Sequence, residues 1–256
     1  MSQTVRNYFQ SGEFQERALE ACRNLLGARD WSVGERLDLY EISRRAFDVR
    51  LSAEASLSAF RQIYDQLVRP ARAGGWGIGR NAAGPLWTAE QTFLNIRSEF
   101  SQFSWGGPVD LLNFRSGSSQ SSLLPSLERM RSLKPVADWP TMAVSKVLHF
   151  YNAELFPVYD SEIIWKKVLT RFKEDFRAFC VAFSRPWDFG DTPTFYRNYM
   201  SWGASLLEDA HPQFMRVFEA WLARQPGANL STRNFDASRL FATAYEYAII
   251  GASADS

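Results

Sequence analysis

An all-α, or nearly all-α, fold is what this chain encodes, and three features say so. Apolar residues recur at three- and four-residue steps along most of the sequence, and no convincing period-two alternation interrupts them. Clusters of Gly, Pro and Ser cut the chain into helix-sized pieces. With 256 residues, 46% of them hydrophobic and 22% charged, it is far from the composition of disorder and can bury a sizeable core. No repeat at a fixed period is visible.

The first helix lies in "EFQERALEACRNLLG", where Phe14, Leu19, Cys22, Leu25 and Leu26 share a stripe and Gly27 stops it. A second is expected over Gly34 to Val49, and a third begins after the cap-like Ser52 and ends near Pro70. Gly74, Gly75, Gly77, Gly79 and Gly84 then mark a loop. It looks superficially like a phosphate-binding glycine loop, but no strand precedes it and no helix opens directly after it, so a dinucleotide site is rejected. Thr88 to Phe100 reads as another helix. An aromatic-glycine turn follows in "SQFSWGGPVDLLNF", then a short helical or extended piece, then a Ser-rich loop from Ser116 to Ser122 that is expected to be exposed. "LLPSLERMRSLKPVADW" supplies one helix, Pro140 opens the next, and Asp160 opens a longer one to about Phe172. Further helices are expected over Pro193 to Asp209, Pro212 to Arg224 and Asp236 to Ile250.

Lys plus Arg number 29 against 28 Asp plus Glu, so no global basic field announces a nucleic-acid partner, although a basic face can hide in a neutral sum. Cys22 and Cys180 stand far apart without CxxC spacing, and His149 and His211 are the only histidines. Zinc sites, disulfide frameworks and multi-histidine centres are therefore not indicated, and neither metal nor cofactor is expected. The opening residues lack an apolar signal core, and no apolar run approaches the ~20 residues that cross a bilayer. A cytoplasmic, soluble monomer without a membrane partner is the expectation.

The densest chemistry lies in "WPTMAVSKVLHFYNAELFPVYDSEIIWKKV", Trp139 to Val168. Lys146 and His149 are an i, i+3 pair on an otherwise apolar helix and are expected to face one cleft. Pro157 fixes a turn, and Asp160 arrives at the N-cap of the following helix, whose stripe is Ile163, Ile164, Val168 and Leu169. The plain reading of Asp160 is a cap worth ~1 kcal/mol, and that of His149 is a hydrogen-bonded structural residue.

This arrangement resembles the helix-hairpin-helix DNA glycosylases, the superfamily of endonuclease III and 8-oxoguanine glycosylase. There a hairpin of the form "LPGVGxKTA" leads to a helix, a "PVDTHV"-like turn and a catalytic Asp at the start of the next helix. "WPTMAVSKVLHF" stands for the hairpin and its second helix, and "FPVYDSEI" for the turn. The match covers about thirty residues, places Lys146 at the family's lysine and Asp160 at its Asp, and departs in two ways. No glycine lies between Thr141 and Ser145, and Lys146 to Asp160 is a shorter interval than is usual. The resemblance implies one glycosylase-like unit over 1–256, two helical lobes with a cleft between them (1–100 with 175–256, and 101–174), and double-stranded DNA as partner. It also implies a reaction: flipping a modified base and cleaving its N-glycosidic bond to leave an abasic site. The bacterial branch it points to extends this to hypermodified phage bases, such as glucosylated hydroxymethylcytosine, and to anti-phage defence.

Such chemistry needs a carboxylate beside the anomeric carbon to stabilise an oxocarbenium-like transition state, the role given to Asp160. Lys146 could instead attack C1′ and form a Schiff base, but its irregular spacing favours a monofunctional hydrolase. A flipped base needs stacking walls and polar groups to read its edge, for which Trp76, Trp105, Trp139, Tyr159, His149 and Asp110 are the candidates. Each Trp taken alone is more often core packing. Arg80, Arg115, Ser145 and Lys166 are the candidate contacts to DNA. The rival expectation is a noncatalytic helical module that binds DNA or protein, favoured by the balanced charge and the missing hairpin glycines.

Overall fold

The computed structural model describes residues 5–27, 32–48, 50–70, 75–79, 82–114, 117–186, 190–208 and 210–254. Among these the chain is helical throughout, with no strand. Eleven α-helices follow in order: α1 (Asn7–Gln10), α2 (Gly12–Gly27), α3 (Val33–Ala46), α4 (Ala53–Val68), α5 (Ala89–Glu99), α6 (Gly117–Arg129), α7 (Thr141–Tyr151), α8 (Lys173–Ala182), α9 (Pro193–Glu208), α10 (Gln213–Ala223) and α11 (Phe241–Ala254). Between α7 and α8 the segment Ser161–Leu169 is wound as a wider π-type helix.

Helix starts follow side-chain chemistry. Ser32 and Thr88 build capping boxes with Glu35 and Gln91, and Ser52 caps α4 by accepting the Ala55 N–H. α11 is apolar on every side and buried from Phe241 to Ala252, so it forms the axis of the molecule. It lies along α2, closing the two ends of the chain on each other, and also touches α9, α10 and the π-type helix. The α2–α11 crossing is so tight that a Cβ on Gly251 would meet the Ala18 carbonyl oxygen at 1.6 Å. α3 packs on α4 and α7, and α4 on α5, so α7 is roofed by α3 and α4 on one side and by α9 on the other. One apolar cluster runs from Val5 to Ala252.

Two boundaries differ from the sequence reading. The serines expected in an exposed loop, Ser119 to Ser122, belong to α6. The reason is tertiary: Gln120 is buried, donates to the Phe114 carbonyl (2.9 Å) and accepts from Arg185 (2.6 Å), while Leu123 and Leu127 continue its face into the core. Near the C-terminus, Asp236 caps only a short 3₁₀ turn, Ala237–Arg239, and α11 starts later, at Phe241. No helix among the described residues is long and apolar enough to cross a membrane.

Candidate active site

The turn between α7 and the π-type helix is held from three sides. The Phe156 N–H bonds back to the Asn152 carbonyl (3.0 Å). Its own carbonyl accepts from His149 Nδ1 (2.6 Å), and the Pro157 carbonyl accepts from the Tyr196 hydroxyl of α9 (2.8 Å). The Val158 N–H reaches Glu246 Oε2 of α11 (3.4 Å), and the Tyr159 N–H donates to Ser145 Oγ (3.0 Å). That hydroxyl lies 3.1 Å from both the Tyr159 and Met142 carbonyls, one of which takes its proton. Buried backbone polar groups require partners, and here they fix a corner.

Asp160 comes out of this corner as the N-cap of the π-type helix. Its Oδ1 accepts the Ile163 N–H (3.3 Å), and its backbone carbonyl accepts that of Ile164 (2.6 Å). Oδ2 is 3.3 Å from Lys146 Nζ, whose side chain is 7% exposed against 20% for Asp160. Lys146 also donates to the Trp76 carbonyl (2.9 Å) and lies 5.9 Å from the Trp76 ring centre. A carboxylate at the surface is thus backed by an ammonium that is nearly enclosed.

Beneath this pair is a buried ionic network. Arg36 of α3 donates from Nη2 to Glu246 Oε2 (2.6 Å) and from Nε to the Tyr40 hydroxyl (2.6 Å), and its guanidinium sits 5.3 Å from the ring centres of both Trp76 and Tyr247. His149 is fully buried. With Nδ1 donating to Phe156, Nε2 holds the lone pair that faces the Tyr40 hydroxyl (2.5 Å) and Arg36 Nη2 (2.8 Å). Burial and then the Arg36 charge hold the His149 pKa well below the usual imidazole range. Burial also raises the Glu246 carboxyl, against the opposing pull of Arg36, and pushes Tyr40 up to about 12.

The depressed His149 pKa has a signed consequence. An unfolded imidazole binds a proton below about pH 6.5 while the folded one does not, so this contribution to stability is complete above that pH and is lost as pH falls. Glu246 acts in the opposite sense, because its raised pKa favours the folded state as pH falls. The expected result is that wild type loses about 1.4 kcal/mol per pH unit relative to His149→Asn below pH ~6.5. Urea unfolding of the pair across pH checks the slope. An imidazole Cε1–H resonance of His149 that titrates normally would refute the assignment.

The sequence-derived residues sort as follows. Lys146, Asp160 and Trp76 meet. His149 shares the helix of Lys146 but points into the core, a correction to its expected place at the cleft: its polar partners are Arg36 and Tyr40 of α3 and the Phe156 carbonyl of the turn. Ser145 is also corrected, because it is fully buried and clamps the turn, out of reach of a phosphate. Tyr159 is 2% exposed and packs on Phe195 and Tyr199, so it is not a pocket wall. Trp139 is likewise interior, stacked near Tyr196 with Nε1 donating to the Leu127 carbonyl (3.1 Å). Trp105 is half-buried against Tyr40 and Phe235. Asp110 pairs with Arg239 (3.7 Å) and accepts the Asn113 N–H. Arg239 also meets Glu154 (3.3 Å), so Trp105 and Asp110 belong to a loop tied down by Glu154. Lys166 is exposed on the π-type helix. Arg80 and Arg115 lie outside the described residues.

Comparison of the chain with protein-family models, with curated proteins and with solved structures finds no match in any of the three.

Sequence reasoning does not single out Arg36, Glu246 and Tyr196. A signal existed for two of them: Glu246 is the lone charge inside "FATAYEYAIIGA", and Arg36 shares a helical face with Leu37 and Tyr40. A charge within an apolar stripe is rarely buried without a partner. Among the described residues no three His, Cys, Asp or Glu side chains converge as a metal site would require.

Proposed function

We propose that the chain is a monofunctional DNA glycosylase of the helix-hairpin-helix kind, with Asp160 as the carboxylate that stabilises the sugar cation. The observation that carries this reading is the fixed corner. Four side chains from α7, α9 and α11 spend buried hydrogen bonds on one turn, and that turn delivers a carboxylate that is still one-fifth exposed. Preorganised charge of this kind lowers a barrier at which positive charge develops. The Lys146 ammonium, donating to Asp160 and Trp76, orients the carboxylate and does not attack. The substrate class follows from the resemblance alone: a modified base in double-stranded DNA, a hypermodified phage base being the first to try.

The test is a panel of phage and host genomic DNAs, assayed for abasic sites after incubation and treated in parallel with borohydride. Abasic sites on at least one DNA, without a trapped covalent adduct, are expected. A trapped adduct lost in Lys146→Met would turn the reading into a bifunctional lyase. Salt-sensitive DNA binding with no abasic site on any DNA would favour the second reading, a noncatalytic binding module. One observation supports that rival: Ser145, Tyr159, Trp139 and His149 are all committed to the core.

A further inference from the structure

The π-type winding of Ser161–Leu169 decides which side chain stands under Asp160. In a helix closed by i→i+5 bonds, residues five apart lie one above the other, whereas in an α-helix they face different ways. Trp165 therefore sits one turn below Asp160, and Thr170 repeats the step, its hydroxyl donating to the Trp165 carbonyl (3.3 Å). Phe195 of α9 fixes the placement. Its ring packs on Trp165 (6.3 Å between centres) and also on Tyr159, the residue before Asp160 (5.5 Å). Ile163, Ile164, Val168 and Leu169 turn into the core, and the outer side of the helix carries Lys166, Lys167 and Arg171 in the open. Beside them Trp165 is 38% exposed, the only exposed tryptophan among the described residues.

We propose that Trp165, rimmed by Lys166, Lys167 and Arg171, is a stacking platform for an unpaired nucleotide, so that this face holds a DNA strand beside Asp160. Ring and rim match the two parts of such a strand. The indole stacks on a base of any identity, and the cations take the phosphates on either side. Arg171 also donates to the Tyr8 hydroxyl (3.4 Å), which steadies its guanidinium at the rim. No carboxylate interrupts the chain from Trp165 to Arg171, which suits a continuous polyanion. A membrane-seeking face would carry several exposed apolar side chains on this helix, and it carries one. One helical turn, about 5 Å, is close to one nucleotide step, so the base on Trp165 is a neighbour of the nucleotide at Asp160. That last placement rests on the glycosylase reading; the platform itself does not.

The test follows the anisotropy of a short labelled single-stranded DNA on addition of the full chain over a range of salt, with the same sequence fully paired and with heparin as comparisons. Saturable binding of the single strand is expected. It should be about tenfold weaker in Trp165→Leu, about 1.4 kcal/mol, largely kept in Trp165→Phe, and unchanged in Phe183→Ala, which removes an exposed ring at the end of α8. In Lys166→Gln/Lys167→Gln the slope of log affinity against log salt should fall by about 0.7 per lysine, which a packing defect would not produce. Should Trp165→Leu fold poorly, quenching of tryptophan fluorescence by the strand, lost in Trp165→Phe, is the readout. No strand binding, wild-type affinity in Trp165→Leu, quenching that persists in Trp165→Phe, or a paired duplex bound as tightly as the single strand overturns the platform. An unchanged salt slope in the double variant overturns the rim. An equal loss of heparin affinity in Trp165→Leu overturns the assignment to a nucleotide, since heparin has no base to stack. A strand held through Trp165 by a chain that releases no base removes the glycosylase reading and leaves the platform standing. Base release with unchanged strand binding in Trp165→Leu does the reverse.

Discussion

Under the proposed function, Asp160→Asn is expected to lower base release by at least about a hundredfold, the loss that follows when one fixed electrostatic group is removed from a developing charge. Asparagine is nearly isosteric and caps helices as well as aspartate does, so the Ile163 N–H keeps its acceptor and the fold survives. What disappears is the negative charge. Because that charge acts mainly in the transition state, kcat should fall with KM little changed. Single-turnover release from whichever DNA of the panel responds is the measurement, alongside a melting curve to show the variant is folded. Base release within a few-fold of wild type would end the assignment of Asp160 and reduce it to the helix cap that its position also suits.

Arg36→Met produces the largest loss of stability, about 3–5 kcal/mol, because it strands Glu246 as an unpaired charge inside the protein. Both members of the pair are about 5% exposed or less, and the guanidinium also bonds Tyr40 and faces His149. A cost of that size is a large share of the 5–15 kcal/mol that holds a typical domain together. The double variant Arg36→Met/Glu246→Leu should recover much of it, since two apolar groups of similar volume leave no charge to compensate. Urea unfolding of the wild type, the single and the double variant at neutral pH gives the comparison. A single variant within about 1 kcal/mol of wild type would show that water already reaches the pair, contrary to its burial. The effect should extend to the site, because Glu246 accepts the Val158 N–H and His149 Nδ1 donates to the Phe156 carbonyl of the same turn.

Much of the helical framework could be read directly. The stripe of α2, the Ser52 cap, the helix beginning at Thr88 and the cap role of Asp160 all rest on interactions within a few residues, and local rules reach that far. The N-terminal half of α6 could not be read, because its serines point to a loop by local preference. What overrides them is Gln120, bonded to Phe114 and Arg185, the latter more than sixty positions away. The candidate site shows the same division. The resemblance puts Lys146 and Asp160 at one site, whereas the direction of His149 is not legible, because an i, i+3 spacing shows which residues are neighbours on a helix and not which of them meets solvent.

Helical stripes and helix caps are properties of the sequence, since each is settled by backbone preferences and contacts one or two turns away, whereas the corner that carries Asp160 is held by Tyr196 and Glu246 from helices distant in the chain. The tertiary structure alone decided that Arg36, His149 and Glu246, contributed by three separate helices, form one network under that corner. Burial makes these charges interact strongly, and burial comes from helices distant in the chain packing against one another, which no local pattern records.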